Sequence, residues 1–356
     1  MIGDITSALK NTIIDAAQVN DIAFQIMAGN TKQFLGREPS GMPLSLSEHR
    51  GIINYQPKEL VITARCGTPL TEIEAALAEH GQMLAFEPPY FGEQATLGGT
   101  VAAGLSGPRR PYTGSVRDFV LGVRLMDGRG ESLRFGGEVM KNVAGYDVSR
   151  LVTGAMGTLG IILDVSLKVL PIPAEEITLI QERATIDEAI GLMNTWAARP
   201  FPLSATCFYD RRLYIRLSGA SSAVGVARAR LGGELLEDDS RFWTDIRNQC
   251  HEFFIGNQGS MWRISVPTTA RHLPLQGDWF IEWGGGQRWL WTELTIDPIR
   301  RLAAAAGGHA TLFRADDRRG YVFHPLSTPL ARLHQRVKQV FDPHGLFNPG
   351  RLYPDW

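Results

Sequence analysis

The stretch Thr96–Gly122, TLGGTVAAGLSGPRRPYTGSVRDFVLG, decides how the chain is read. Gly98, Gly99, Gly104, Gly107, Gly114 and Gly122 fall within it, separated mostly by Ala, Ser, Thr and Val rather than by the Ser and Glu of a linker. Small apolar residues between glycines predict a packed loop. Glycine lets the backbone adopt positive φ and approach a ligand closely, and successive N–H groups form a concavity suited to anions. Arg109, Arg110 and Arg117 add positive charge beside it. A glycine-bearing turn between two buried segments is the competing reading of such a stretch. A second loop of the same character, Gly154-Ala155-Met156-Gly157-Thr158-Leu159-Gly160, favours the ligand.

Outward from these loops the pattern is that of an α+β protein. An apolar strand at Ile22 to Met27 runs into Ala28-Gly29-Asn30-Thr31-Lys32, a turn of the form that approaches phosphate. Thr68-Pro69 predicts an N-cap and a first-turn proline for a helix closed by Gly81. Phe119 to Met126 predicts a strand, and Asp127-Gly128 turns it into a hairpin with Ser132 to Phe135. From Ile161 apolar and polar residues alternate through Val169, which predicts a strand with one buried face.

Pro171-Ile172-Pro173 marks the end of the glycine-rich pattern and divides the chain into 1–171 and 172–315, with 316–356 packing back on the first part. Residues 176–236 read strand, helix, strand, strand, helix, strand, the ferredoxin-like βαββαβ order, with Thr185 to Glu188 as a capping box. Further helices are expected near 240–254 and 296–306, and further strands near 260–266, 278–283 and 309–314. Trp279, Trp283, Trp289 and Trp291 are four of the eight tryptophans. They read either as the core of the second domain or as an aromatic patch for a partner.

Composition sets outer bounds. The chain has 356 residues, enough for about two to three domains, with 44% hydrophobic and 21% charged residues. A net charge of -1 argues against nucleic acid or an anionic membrane as the main partner. MIGDITSALK has no basic segment ahead of an apolar core, and no window approaches the ~18 apolar residues of a membrane span, so a cytoplasmic location is expected, with any membrane contact made through partners. Cys66, Cys207 and Cys250 are widely spaced and form no CxxC, which disfavours a disulfide framework, a zinc site or an iron–sulfur cluster. Neither GxxxxGK[ST] nor a helix-opening GxGxxG after a strand is present. A dinucleotide would therefore be held by three separate loops, at 28–36, 98–118 and 154–161.

GNTKQFLG, ELVITARCGTPLTEIEAALAEHGQ, TLGGTVAAGLSGPRR, GSVRDFVLGV, GEVMKNVAGYDVSRLVTGAMGTLGIILDVSLKVLP and FDPHGLFNPGRL occur in this order. In that order they resemble the FAD-binding domain of the vanillyl-alcohol oxidase, or PCMH-type, superfamily, and most closely the FAD-binding E subunits of bacterial glycolate oxidases. The match is dense over 20–170 and clear in the last 20 residues. The resemblance implies an FAD-binding domain of two α+β subdomains with a smaller α+β cap. It implies a first diphosphate loop of Gly29, Asn30, Thr31 and Lys32. A second loop would comprise Gly98, Gly99, Thr100, Gly104, Ser106 and Gly107, with Gly114, Arg117 and Asp118 bracing its exit. Arg109 would offset the diphosphate charge. Gly157, Thr158, Gly160 and Ile161 would meet the cofactor through backbone groups, and Asn348 would lie near the flavin ring.

No histidine occurs between Ala28 and Arg37, so the FAD is expected to be non-covalent. The HxGDGNxH-like metal centre of larger 2-hydroxy-acid dehydrogenase relatives is missing too, leaving His309, Arg314 and His324 as the catalytic candidates. By resemblance the chain is the FAD-binding subunit of a multi-subunit 2-hydroxy-acid oxidase, accompanied by a larger FAD-containing subunit and an iron–sulfur subunit. The alternatives are a silent scaffold that keeps the fold to dock the larger subunit, and a self-sufficient flavin dehydrogenase acting alone.

Overall fold

The computed structural model describes residues 3–19, 21–137, 147–255, 259–354 and 356. Most of the quoted KNVAGYD motif, Lys141 to Tyr146, lies outside the described residues. The chain divides into two compact units. The first comprises Met1–Leu105, Ser115–Pro171 and Arg318–Trp356, and the second Ser106–Gly114 and Ile172–Asp317. The glycine stretch is thus split between the units.

In the first unit a five-stranded antiparallel sheet has the order Ile52–Gln56, Val61–Arg65, Ile161–Lys168, Val120–Met126, Ser132–Gly136. Helices Leu70–Ala78 and Leu97–Ala103 contribute Leu70, Ile73, Leu77, Leu97 and Val101 to one core with Leu163, Val165 and Leu167 of the central strand. Burying that apolar face is the main driving force for the unit. A separate parallel pair, Phe24–Met27 with Met42–Ser45, starts at Phe24 opposite Met42. The C-terminal segment joins it through a parallel bridge between Phe24 and Phe347.

Three local expectations change here. The central strand Ile161–Lys168 is buried on both faces rather than one. Its buried polar side chains meet polar partners inside: Ser166 Oγ meets Thr63 Oγ1 at 2.9 Å, Asp164 is paired with Arg124, and His49, fully buried, approaches Asp164 Oδ1 at 3.4 Å without a hydrogen bond. Buried polar groups require such partners. Thr68 does not cap the helix that follows it. Pro69 holds the N-cap position, and Thr68 Oγ1 accepts the Gly51 N–H at 2.8 Å. The glycine stretch contains a true helix, Leu97–Ala103, opened by Thr96 and closed by Gly104.

The second unit carries an eight-stranded sheet ordered Glu234–Leu235, Glu175–Glu182, Arg212–Gly219, Leu203–Tyr209, Asp278–Glu282, Gln287–Thr292, Ser260–Ser265, His309–Arg314. The first four strands, with helices Ile186–Ala197 and Ser221–Leu231, have the ferredoxin-like arrangement. The last four repeat that order in reverse, joined to the first four where Cys207 and Phe208 face Glu282 and Ile281. In this second half helix Ile296–Ala305 matches Ser221–Leu231, but 266–277 is irregular where the first half has a helix. The helix expected over 240–254 spans Asp239–Asn248. It stops because Gln249 takes the left-handed conformation at φ 56.

The tryptophans fill the core of this unit. Trp283, Trp289 and Trp291 are buried, and each of the four indoles donates a hydrogen bond, that of Trp289 to Glu282 Oε1 at 2.7 Å and that of Trp291 to the Phe253 carbonyl at 2.8 Å. An indole buried with its N–H satisfied contributes packing without an orphaned donor.

Candidate cofactor-binding site

The first unit contains a cavity of about 120 Å³ lined by three segments, 25–33, 96–103 and 156–162, together with Asn348 and Arg351. Each segment reaches the cavity for a local reason. At Gly29 an added Cβ would fall 1.5 Å from the Gln94 carbonyl oxygen, so no side chain fits and the backbone itself forms the wall. Gly157 has φ +71, and a Cβ there would lie 2.7 Å from Asn348 Nδ2.

Asn348 holds two of the segments together. Its Oδ1 accepts the Ile26 N–H at 2.8 Å and its Nδ2 donates to the Met156 carbonyl at 2.6 Å. Asn348 is in turn set by Lys338 and Asp342. Lys338 Nζ donates to the Thr158 carbonyl at 2.7 Å, to Asp342 Oδ2 at 2.5 Å and to the Phe347 carbonyl at 2.8 Å. Asp342 accepts from the Leu346 and Phe347 N–H groups. Burial pushes the Lys338 pKa down from its ordinary value, against the opposing pull of Asp342.

Two cations line the cavity, and neither has a carboxylate partner among the described residues. Lys32, 9% exposed, donates at 3.3 Å to the Tyr90 carbonyl and at 3.4 Å to Thr31 Oγ1, and lies 5.8 Å from the centre of the Phe91 ring. Burial pushes its ammonium down to about 8. Arg351, 6% exposed, donates to the carbonyls of Lys32 at 3.4 Å and Gln33 at 3.1 Å and to that of Arg37. Burial, with Arg318 nearby, pushes its guanidinium down to about 10. Cys66 also lines the cavity, and burial raises its thiol so far that it stays protonated and inert.

Of the cofactor residues expected from sequence, Gly29, Asn30, Thr31, Lys32, Gly98, Gly99, Gly157, Gly160 and Asn348 line this cavity. The others are not among its lining residues, and each has other contacts. Thr100 is buried in the helix Leu97–Ala103, with no hydrogen-bond partner for its Oγ1. Gly104 caps that helix against Gly154. Ser106, Gly107, Arg109 and Gly114 belong to the second unit. There the Gly107 carbonyl accepts from the Trp283 indole at 3.1 Å, and Arg109 pairs with Glu176 at 2.5 Å and with Ser218 at 3.1 Å. Gly114 closes the short helix Arg110–Thr113.

Arg117 donates to the Thr153 carbonyl, and Asp118 forms a capping box with Ser115. Thr158 bonds the Ala155 carbonyl, and Ile161 is sealed in the central strand opposite Met126.

None of the catalytic candidates lines the cavity. His309 opens the edge strand of the second unit opposite Ser265. Arg314 is fixed there by the Phe254 carbonyl at 3.1 Å and Gln249 Oε1 at 2.8 Å. His324 belongs to the first unit, where its carbonyl accepts the Tyr353 hydroxyl at 3.1 Å. Among the cavity residues that the sequence did not single out, Arg351 carries charge, and it stands three residues after Asn348 in the same turn motif.

The donor set suits a dinucleotide diphosphate: side-chain-free backbone at Gly29 and two buried cations facing the same space. Comparison with known proteins agrees. Residues 10–136 match the family model described as an FAD binding domain. The chain is 52% identical to the glycolate oxidase subunit GlcE of Escherichia coli K12, over 93% of this chain and 92% of that one. It is 26% identical to the glycolate oxidase subunit GlcD of Bacillus subtilis 168 over 57% of this chain, and the match spans only 43% of GlcD. In fold it resembles the 4-ethylphenol oxidase of Gulosibacter chungangensis, with a TM-score of 0.69 at 14% identity, covering 99% of this chain and 88% of that one. The chain belongs to the family of the glycolate oxidase subunit GlcE and carries an FAD-binding domain.

Proposed function

We propose that the chain is the non-covalent FAD-binding subunit of an assembly that oxidises glycolate or a similar 2-hydroxy acid. The observation that carries this reading is the cavity of the first unit, where Lys32 and Arg351 bring buried positive charge to a wall of bare backbone. Bound FAD supplies the two-electron acceptor that such an oxidation needs. The chain supplies position. Gly29 brings bare backbone to the diphosphate, Lys32 balances its charge, and Asn348 fixes the spacing of the first and third segments. No histidine is among the residues that line the cavity, which supports non-covalent binding.

The partners of this reading are a larger flavin subunit of the GlcD kind, carrying the substrate centre, and an iron–sulfur subunit that takes up the electrons. No described helix is long and apolar enough to cross a membrane. The location that goes with this reading is the cytoplasm, with the inner membrane met through those partners.

Purified chain expressed alone should be yellow and should release FAD on denaturation. A folded, colourless chain that does not take up added FAD would overturn the reading in favour of a scaffold. Reduction by glycolate only after the partner subunits are added would place the substrate centre outside this chain.

A further inference from the structure

Lys32 presents an unusual electrostatic situation. It is nearly sealed from water, its ammonium touches only neutral oxygens, and the residue it belongs to is held from the backbone side by Arg351. The charged and titratable groups facing it are few. Arg351, with Arg318 behind it, contributes only like charge. The Cys66 thiol on the cavity lining stays protonated, and the Tyr90 hydroxyl is engaged by Glu74 at 2.6 Å. A buried ammonium in such a place is stable only if it loses its proton or gains an anion. The cavity offers room for the anion, and the FAD reading supplies one in the diphosphate.

We propose that Lys32 is the charge partner of the cofactor's diphosphate and that FAD binding recruits a proton to this side chain, coupling cofactor retention to pH. The proposal rests on the FAD reading and adds a titrating residue to it. On binding, the Lys32 amine takes a proton from solvent and forms an ion pair with a diphosphate oxygen; no other bond is made or broken. With the free side chain pushed down to about 8, half of the cofactor-free molecules lack the proton near that pH. The sign follows: protons are taken up on binding, and affinity falls as pH rises past that point. The weakening expected between pH 7 and pH 9 is about tenfold in Kd.

The test is calorimetric titration of the FAD-stripped full chain with FAD at pH 7, 8 and 9, each in two buffers of different ionisation enthalpy. The wild type should take up about half a proton per FAD near pH 8, and more at pH 9, with the Kd trend just given. Lys32→Arg keeps the charge and cannot titrate in this range, so it should bind FAD with no proton uptake and a flat Kd. Lys32→Met should bind at least about tenfold more weakly at pH 7 and be flat as well. Riboflavin, which lacks the diphosphate, should show no uptake with any of the three proteins.

Wild-type binding that is independent of pH with no proton uptake overturns the proposal while leaving the FAD reading intact. Equal uptake by wild type and Lys32→Arg also overturns it, because the proton then goes elsewhere. Lack of FAD binding by all three proteins, with circular dichroism showing them folded, overturns the FAD reading itself.

Discussion

In the second unit two buried guanidiniums, those of Arg109 and Arg216, share the carboxylate of Glu176 at 2.5 and 3.7 Å. In the first unit Lys32 and Arg351 line the cavity hydrogen-bonded only to neutral oxygens. Burial alone would raise the Glu176 pKa, yet Arg216 and Arg109 hold it below its ordinary value. At Lys32 no counter-charge opposes the penalty of burial. The difference separates a structural charge node, balanced within the fold, from a cavity whose positive charge the described residues leave unbalanced, the condition under which an external anion is favoured.

Three substitutions probe that contrast. Glu176→Gln should have the largest effect. It leaves Arg109 and Arg216 buried without their shared carboxylate, at a cost of roughly 3–5 kcal/mol in urea-induced unfolding of the second unit's tryptophan signal. A loss under about 1 kcal/mol would show that the node contributes little.

Lys32→Met should act in the opposite direction on the cofactor-free protein. The folded pKa lies below the unfolded value, so the unfolded chain binds more protons and wild-type stability rises with pH from about 8 toward 10.5. The substitution removes that penalty and should stabilise the cofactor-free form at pH 7 by up to about 3 kcal/mol, while eliminating the alkaline rise. Destabilisation at pH 7 would place an unseen counter-charge at Lys32. Thr96→Ala, which removes the side-chain cap of the helix Leu97–Ala103, is the mildest of the three, at about 1 kcal/mol. A much larger loss of FAD affinity than of stability would assign the first turn of that helix to cofactor contact.

Much of this molecule is legible in its sequence where the signal is local. Apolar periodicity locates the central strand and the first ferredoxin-like half, and Gly29 to Lys32 and Gly157 to Gly160 mark two cavity walls. What escaped depends on partners far along the chain. The helix Leu97–Ala103 opens with Leu97, Gly98 and Gly99, a poor helical start, and Gly98 is there because a Cβ would fall 2.6 Å from that of Cys66. The packing of distant segments overrides local propensity.

Arg109 is read as a cofactor residue from its glycine neighbours, but its partner Glu176 stands 67 positions away, a spacing that no motif records. Asp164 and Ser166 keep the alternation of an exposed face and are nevertheless buried, because Arg124, His49 and Thr63 supply polar partners from other elements. The second half of the eight-stranded sheet hides its likeness to the first because its first crossover has no helix.

The tie between Asn348 and Ile26 spans 322 positions. During synthesis the first cavity wall therefore leaves the ribosome long before the residue that braces it. The second unit, continuous from Ile172 to Asp317 apart from one short segment, emerges in between and is free to fold in the interval. A nascent chain stalled before residue 338 lacks Lys338, Asp342, Asn348 and Arg351 together. Completion of the cavity is thus deferred until residues 338–351 have been made, after the second unit has emerged.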